Sequence, residues 1–231
     1  MKNIYIIGDV HGCYKTLVAL IDKLPNKKDS NICFVGDLVD KGNFSKDVVE
    51  FVKSNNYPCV LGNHEVMLID NATEILATNK INKKSSFWIN KCGGKETLES
   101  YDNKELLKDH ISYLKSLPLY LKYKDLKTTD KRYLVVSHSH ILKSWEHREY
   151  PNDSKEYKTF ENECLYSRYK SFDNKQIFNV FGHTPIQEPQ INEFKANIDL
   201  GCFLKNENES GKLCALEFPS MKIIMQENIE D

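Results

Sequence analysis

The stretch "IYIIGDVHGC", residues Ile4 to Cys13, decides the reading of this chain. Four apolar or aromatic residues run straight into Gly8, Asp9, Val10, His11 and Gly12. A short, continuous apolar run bounded by a glycine reads as a buried strand, here Asn3 to Ile7. Tyr14 to Leu24 then places Leu17, Val18, Leu20, Ile21 and Leu24 at helical spacing. An acid and an imidazole two residues apart therefore sit where a buried strand hands over to a helix.

The same hand-over recurs down the chain. Asn31 to Val35 is a second strand and Ser45 to Asn55 a second helix with Val48, Val49 and Val52 inward; Tyr57 to Leu61 is a third strand. Two strand–helix units and a strand predict an α/β protein with a parallel sheet. From Glu65 the pattern turns helical through Leu68, Ile69, Ile75 and Leu76, and again from Asn103 to Leu117. Strands return at Leu119 to Tyr123, Arg132 to Val136 and Ile177 to Phe181, and a meander closes the chain at Asn197 to Leu200, Leu213 to Phe218 and Lys222 to Gln226. The polar stretch from His147 to Lys158, with Pro151, Asn152, Asp153 and Ser154, reads as a mobile loop.

Composition narrows the possibilities. At 231 residues and 40% hydrophobic content the chain fits one domain, 1–231, with a substantial core. Thirty-two basic against 33 acidic residues leave a net charge of -1, which attracts neither nucleic acid nor an anionic membrane. Seven cysteines, odd in number and never in a C-x-x-C pair, argue for reduced thiols and a cytoplasmic location. No leader pattern and no apolar run of about 18 residues is present, so neither secretion nor membrane spanning is expected.

Each strand end carries one kind of chemistry. The first ends in Gly8-Asp9-Val10-His11-Gly12, the second in Gly36-Asp37-Leu38-Val39-Asp40-Lys41-Gly42, and the third in Gly62-Asn63-His64-Glu65. Later strands run into Ser137-His138 and Gly182-His183-Thr184-Pro185. Ligands in open α/β sheets collect beyond the carboxyl ends of the strands, so these groups are expected along one edge. Carboxylates and imidazoles with one amide oxygen suit Mn, Fe, Zn or Co.

The set "GDVHG", "GDLVDKG", "GNHE" and "GHTP" resembles the phosphoprotein phosphatase branch of the calcineurin-like metallophosphoesterases, in particular its short bacterial and phage members. "FWINKCGG", "CLYSR" and "NIDLGC" extend the resemblance over nearly the whole chain. It implies a sandwich of two mixed β-sheets flanked by helices, with a two-metal site at the strand C-terminal ends. It also implies that Asp9 and His11 hold one ion, that Asp37 bridges, and that Asn63, His138 and His183 hold the other. Manganese is the first expectation for both ions. A hydroxide shared between the ions would attack phosphorus, His64 would act as general acid oriented by Asp40, and Lys41, Arg168 and Asn63 would bind the phosphate. Lys41 stands where the family has Arg, which keeps the charge but loses the planar fork. His140, where the family has glycine, reads either as a pocket-rim residue or as an exposed histidine, the latter being preferred.

The resulting expectation is hydrolysis of phosphomonoesters, with a phosphorylated protein or small phosphoester as partner: a serine/threonine protein phosphatase. The alternative is a symmetrical bis(5'-nucleosyl)-tetraphosphatase, because such enzymes share the region seen here as Trp88, Gly93, Gly94, Thr97 and Leu98. That reading needs an aromatic surface for adenine, which the segment around Trp145, His147 and Arg148 could supply. A nuclease is disfavoured by Pro185, since superfamily nucleases tend to end in a GHxH pattern. A non-catalytic phosphate-binding module would have lost a ligand or the acid, and none is missing.

Overall fold

The computed structural model describes residues 3–78, 80–168, 172–204 and 211–231. In chain order, the first half carries strand β1 (Ile4–Ile7), helix α1 (Tyr14–Asp22), β2 (Ile32–Phe34) and helices α2 (Ser45–Ser54), α3 (Asn63–Thr78), α4 (Lys83–Lys91), α5 (Gly94–Ser100) and α6 (Lys104–Lys115). The second half carries β3 (Tyr120–Lys127), β4 (Tyr133–Ser137), α7 (Lys155–Tyr166), β5 (Ile177–Phe181), β6 (Gln190–Ile191), β7 (Lys195–Asn197), β8 (Lys212–Phe218) and β9 (Lys222–Glu227).

The strands form two mixed sheets, in the orders β2-β1-β8-β9 and β3-β4-β5-β7-β6. Alternation along β1 explains why it is apolar throughout. Ile4 and Ile6 face the second sheet, among Val136, Phe178, Val180 and Leu216. Tyr5 and Ile7 face the helices, among Leu17, Val48, Leu68 and Leu114. With both faces covered, no position in the strand is left for a polar side chain. The outer face of the second sheet packs Val135 and Ile177 on Trp145, Phe160 and Cys164, the last two from α7. The architecture is helix layer, sheet, sheet, helix.

Four expectations are corrected. The segment 57–61 contributes only a single parallel bridge, Phe34 to Cys59, made by the Phe34 amide to the Pro58 carbonyl and the Val60 amide to the Phe34 carbonyl; Pro58 has no N–H to give, and past Val60 the Leu61 amide bonds Pro118 outside the sheet. The final strands are not one meander: β7 joins the second sheet while β8 and β9 complete the first, where β8 lies antiparallel to β1. The first sheet is accordingly mixed rather than parallel. The loop expected over 147–158 shortens to 150–154: a 3-10 turn spans Ser144–Glu149, and Ser154 caps α7 by accepting from the Tyr157 amide at 3.1 Å.

All seven cysteines are free thiols. Among the described residues no helix is long and apolar enough to cross a membrane.

Candidate active site

The carboxyl ends of β1, β2, β4 and β5 converge, two from each sheet, and bring together the residues expected from the sequence. Asp37 stands at the centre. Its Oδ2 is 3.4 Å from His11 Nε2 and its Oδ1 is 3.5 Å from His138 Nε2, so one carboxylate faces an imidazole on each oxygen. The amide of His64, in the first turn of α3, donates to Asp37 Oδ1 at 3.0 Å. Two sets of potential metal donors result, His11-Asp37-His64 and Asp37-His138-His183, each with ligand atoms within 4.8 Å of one another.

The imidazoles are set up as electron-pair donors. His11 Nδ1 donates to the Val39 carbonyl at 2.8 Å and His138 Nδ1 to that of Val35 at 3.1 Å, which leaves each Nε2 as a lone pair aimed inward. His138 Nε2, Asn63 Oδ1 and His183 Nδ1 then form a triangle with sides of 2.8, 2.8 and 3.0 Å. One ring hydrogen at most can lie inside it. Three acceptors this close are the arrangement a cation satisfies and hydrogen bonds do not.

The charge balance leads to the same conclusion. Burial, then the charges of Asp199 and Asp37, push the Asp9 carboxyl well above its usual range. Burial also raises Asp37, and raises Asp199 to about 7. His11 is held neutral by burial and by His64, His138 by burial and by His183, and His183 is lowered to about 4 by burial and then Arg168. Asp9 Oδ1 is buried without a hydrogen-bond partner, while Oδ2 accepts from the His183 amide at 3.0 Å. Buried acids in excess, neutral imidazoles and an orphaned carboxylate oxygen fit a site for divalent ions.

Backbone geometry supports this convergence. His11, Asp37, Asp40, Lys41 and His183 all occupy the left-handed region, with φ between 46° and 72°. Strain of about 1 kcal/mol or more at each is characteristic of functional sites. Gly182 is needed for a different reason: a Cβ there would lie 1.8 Å from Asp9 Oδ1. The space beside His183 is filled by the Asp9 carboxylate rather than left open.

His64 and Asp40 form a second unit beside the cluster. His64 Nδ1 lies 2.7 Å from Asp40 Oδ2, with Asp40 fully buried. Burial works against a charged His64, yet the carboxylates of Asp37 and Asp40 outweigh it and raise its pKa. Trp88 Nε1 donates to the same Asp40 Oδ2 at 2.9 Å and Thr97 Oγ1 to Oδ1 at 2.8 Å. The Lys41 amide bonds the Gly93 carbonyl at 3.3 Å, and a Cβ at Gly94 would lie 2.4 Å from the Trp88 ring. The Trp-Gly-Gly-Thr region thus forms a cage around the carboxylate that orients His64. The sequence displayed these residues together but not that they meet at Asp40, which lies 48 positions from Trp88.

Glu65 has a role the sequence reading did not assign. Its fully buried carboxylate accepts from the amides of Asp37 (2.8 Å), Leu38 (2.7 Å), Val39 (3.4 Å) and Gly62 (2.9 Å). This ties the loop after β2 to the start of α3. Burial and then Asp37 raise its pKa to about 8.

The remaining candidates are placed as follows. Lys41 is half-buried with Nζ 4.7 Å from the centre of the Phe203 ring. Arg168 is exposed and close enough to lower the His183 pKa. His140 is buried, stacked on Phe181 at 4.8 Å and 11°, because Phe181 offers an apolar face the imidazole covers; the preferred expectation of exposure is corrected, while the pocket-rim alternative agrees with its place beside Ser167 and Arg168 in the lining of a small pocket. Trp145 is buried against Tyr120 and Phe160, with Arg148 over its ring, and offers no base platform.

A family profile described as calcineurin-like phosphoesterase matches residues 2–211. The chain belongs to the calcineurin-like phosphoesterase family. Curated relatives include the symmetrical bis(5'-nucleosyl)-tetraphosphatase of Buchnera aphidicola subsp. Baizongia pistaciae, 33% identical over 145 residues, 62% of this chain and 45% of that protein. The enzyme of the same description from Salmonella typhimurium is 34% identical over 62% of this chain and 44% of its own length. The match spans less than half the length of these relatives. Among solved structures, a protein provisionally described as a diadenosine tetraphosphatase aligns at TM-score 0.64 and 21% identity over 97% of this chain and 92% of its own. A Saccharomyces cerevisiae protein serine/threonine phosphatase aligns at 0.64 and 15% over 99% and 81%. These two likenesses bear on the fold: the calcineurin-like sandwich is common to both.

Proposed function

We propose that this calcineurin-like phosphoesterase is a two-metal hydrolase of dinucleoside tetraphosphates, cleaving them symmetrically into two nucleoside diphosphates. The observation that carries the reading is the Asp40 cage. It builds the Trp-Gly-Gly-Thr region, which the chain shares with symmetrical tetraphosphatases, into the group that orients His64. The sequence likeness to those enzymes supports it. The phosphomonoesterase expected first becomes the second reading.

Asp9, His11 and Asp37 would hold one ion, and Asp37, Asn63, His138 and His183 the other, with manganese the first choice of metal. Bound there, divalent ions supply Lewis acidity and an acidified water. The chain's own residues do the rest. Lys41 and Arg168 hold the phosphate beside Asn63, and protonated His64 gives its Nε2 proton to the departing oxygen while Asp40 fixes the ring through Nδ1. Water enters, the P–O bond to the leaving diphosphate breaks, and two nucleoside diphosphates leave.

The buried dyad itself favours the second reading. A positioned acid matters most when the leaving oxygen is an unactivated alkoxide, as in phosphoserine or phosphothreonine. The deciding experiment compares diadenosine tetraphosphate with a phosphothreonine peptide on protein stripped of metal and reloaded with Mn. Faster ADP release supports the first reading and faster peptide turnover the second. Metal binding without turnover of these or any other phosphoester, p-nitrophenyl phosphate included, would make the chain a phosphate-binding module.

Two variants test the assigned roles. His64→Ala is expected to slow phosphoserine hydrolysis by about 10²-fold or more, and p-nitrophenyl phosphate, whose leaving group hardly needs a proton, far less. Equal losses would remove His64 from proton transfer. Lys41→Arg is expected to lower KM for phosphomonoesters several-fold, because a guanidinium can remain stacked on Phe203 and grip two phosphate oxygens. An unchanged or higher KM would place Lys41 away from the phosphate.

A further inference from the structure

Lys41 reaches the site on a fixed backbone with a flexible side chain. Its own amide bonds the Gly93 carbonyl at 3.3 Å, and the amide of the next residue, Gly42, donates to the His11 carbonyl at 3.0 Å, so Lys41 stands beside an imidazole of the donor cluster. An ammonium on a four-carbon stem lacks the pre-set fork of a guanidinium, and some other group has to decide where it rests. Among the described residues no carboxylate lies within ion-pair distance of Lys41. Its partner is an aromatic ring: Nζ lies 4.7 Å from the centre of Phe203, within the range of a cation–π contact.

Phe203 touches more than Lys41. Its ring meets that of His11 nearly at right angles, with centres 5.0 Å apart, and His11 meets His64 in the same manner at 4.7 Å. One half-buried ring therefore borders both the ammonium assigned to the phosphate and a donor imidazole. The chain holds that ring from both sides. On the segment between β7 and β8, Asp199 Oδ1 accepts from the Gly201 amide at 2.9 Å, and the Leu204 amide donates to the Gly201 carbonyl at 2.8 Å, closing a turn around Cys202 and Phe203. Cys202 is buried in the core, and its carbonyl accepts from Asn228 Nδ2 at 2.6 Å. With the residue before it anchored and the residue after it bonded back, Phe203 is presented at one place.

Resting on the assignment of Lys41 to the phosphate, we propose that Phe203 is a positioning residue that holds the Lys41 ammonium ready for the substrate phosphate. An ammonium resting on a ring keeps further N–H donors for phosphate oxygens, so the contact persists when phosphate binds. The side chain is then ordered before the ligand arrives, and less binding energy is lost in ordering it. Phe203 acts through Lys41 and takes no part in the chemistry.

The test uses inorganic phosphate as inhibitor of p-nitrophenyl phosphate hydrolysis by the Mn-loaded protein, and the phosphate-dependent rise in Tm gives the same comparison without turnover. Phe203→Leu is expected to raise the phosphate inhibition constant about 3- to 5-fold, the range of an exposed cation–π contact, and Phe203→Tyr, which keeps the ring face, to restore it. Phe203→Met, with unbranched apolar bulk, carries the same expectation as the leucine variant if that one does not fold. Lys41→Met is expected to raise the constant about tenfold or more. Adding Phe203→Leu to it is expected to change nothing further, since two residues acting through one contact are not additive. Equal weakening by Phe203→Leu with and without Lys41 would show that the ring supports the site in general, and would overturn the proposal. An unmoved constant in Phe203→Leu would overturn it as well, and an unmoved constant in Lys41→Met would overturn it together with the Lys41 assignment. The predicted coupling in a protein that leaves diadenosine tetraphosphate intact would uphold the role of Phe203 and overturn the tetraphosphatase reading alone.

Discussion

Replacing Asp37 with Asn is expected to lower turnover on every phosphoester by about 10³-fold or more, the largest loss of any single substitution considered. Asp37 is the one carboxylate with an imidazole on each oxygen, His11 at 3.4 Å and His138 at 3.5 Å. An amide at that position removes a negative charge and turns an N–H₂ toward one of the two lone pairs. Ions held at the two donor sets would then lose an anionic group that both sets include. Weakening transition-state charge stabilisation by about 4 kcal/mol corresponds to the stated loss. A thermal readout separates this from misfolding. Divalent Mn at 100 times its Kd stabilises a protein that binds it by about 2.7 kcal/mol. The unchanged chain is expected to show that rise in Tm, while Asp37→Asn, folded without metal, shows little of it. Full activity in Asp37→Asn, or an undiminished Mn-dependent rise, would remove Asp37 from the centre of the site.

Glu65→Ala is expected to cost about 4 kcal/mol of stability and to lower Tm by about 10 °C, measured by thermal unfolding. The carboxylate takes four backbone amides, three of them at 2.9 Å or closer, in a site with no exposure to water. A buried N–H left without an acceptor costs about 1 to 3 kcal/mol, and alanine would strand several. Since Asp37 and Leu38 hang from those bonds, activity should fall further than the loss of folded protein explains. Glu65→Gln is expected to lie between, because its amide keeps one acceptor oxygen and sets an N–H₂ against a backbone donor. A Tm within 2 °C of the unchanged chain in Glu65→Ala would show that water can replace the carboxylate there.

Much of the site is legible before any fold is known. Asp9, His11, Asp37, Asn63, His64, His138 and His183 stand directly after apolar runs, most of them beside a glycine, and this local pattern sets where each strand ends and which side chain leaves it. The helices α1, α2 and α6 follow in the same way from apolar spacing on one face. Such features are decided within about ten residues, where hydrophobic periodicity and turn chemistry act.

Other features depend on distant packing. Trp88 and Thr97 reach Asp40 across 48 and 57 positions, and Glu65 reaches Leu38 across 27. Trp145 looks like a free aromatic surface in a polar stretch, yet it fills the space between the second sheet and α7, and His140 is drawn under by the face of Phe181. The strand β7 crosses to the second sheet because its backbone finds β5 there, a pairing that local β propensity does not specify. By itself the sequence determined the identity of the chemical groups and the strand ends that deliver them. Only the tertiary structure decided which groups share a hydrogen, which carboxylate orients His64 and which aromatic ring lies beside Lys41, because burial and long-range hydrogen bonds exist only once the two sheets have closed on each other.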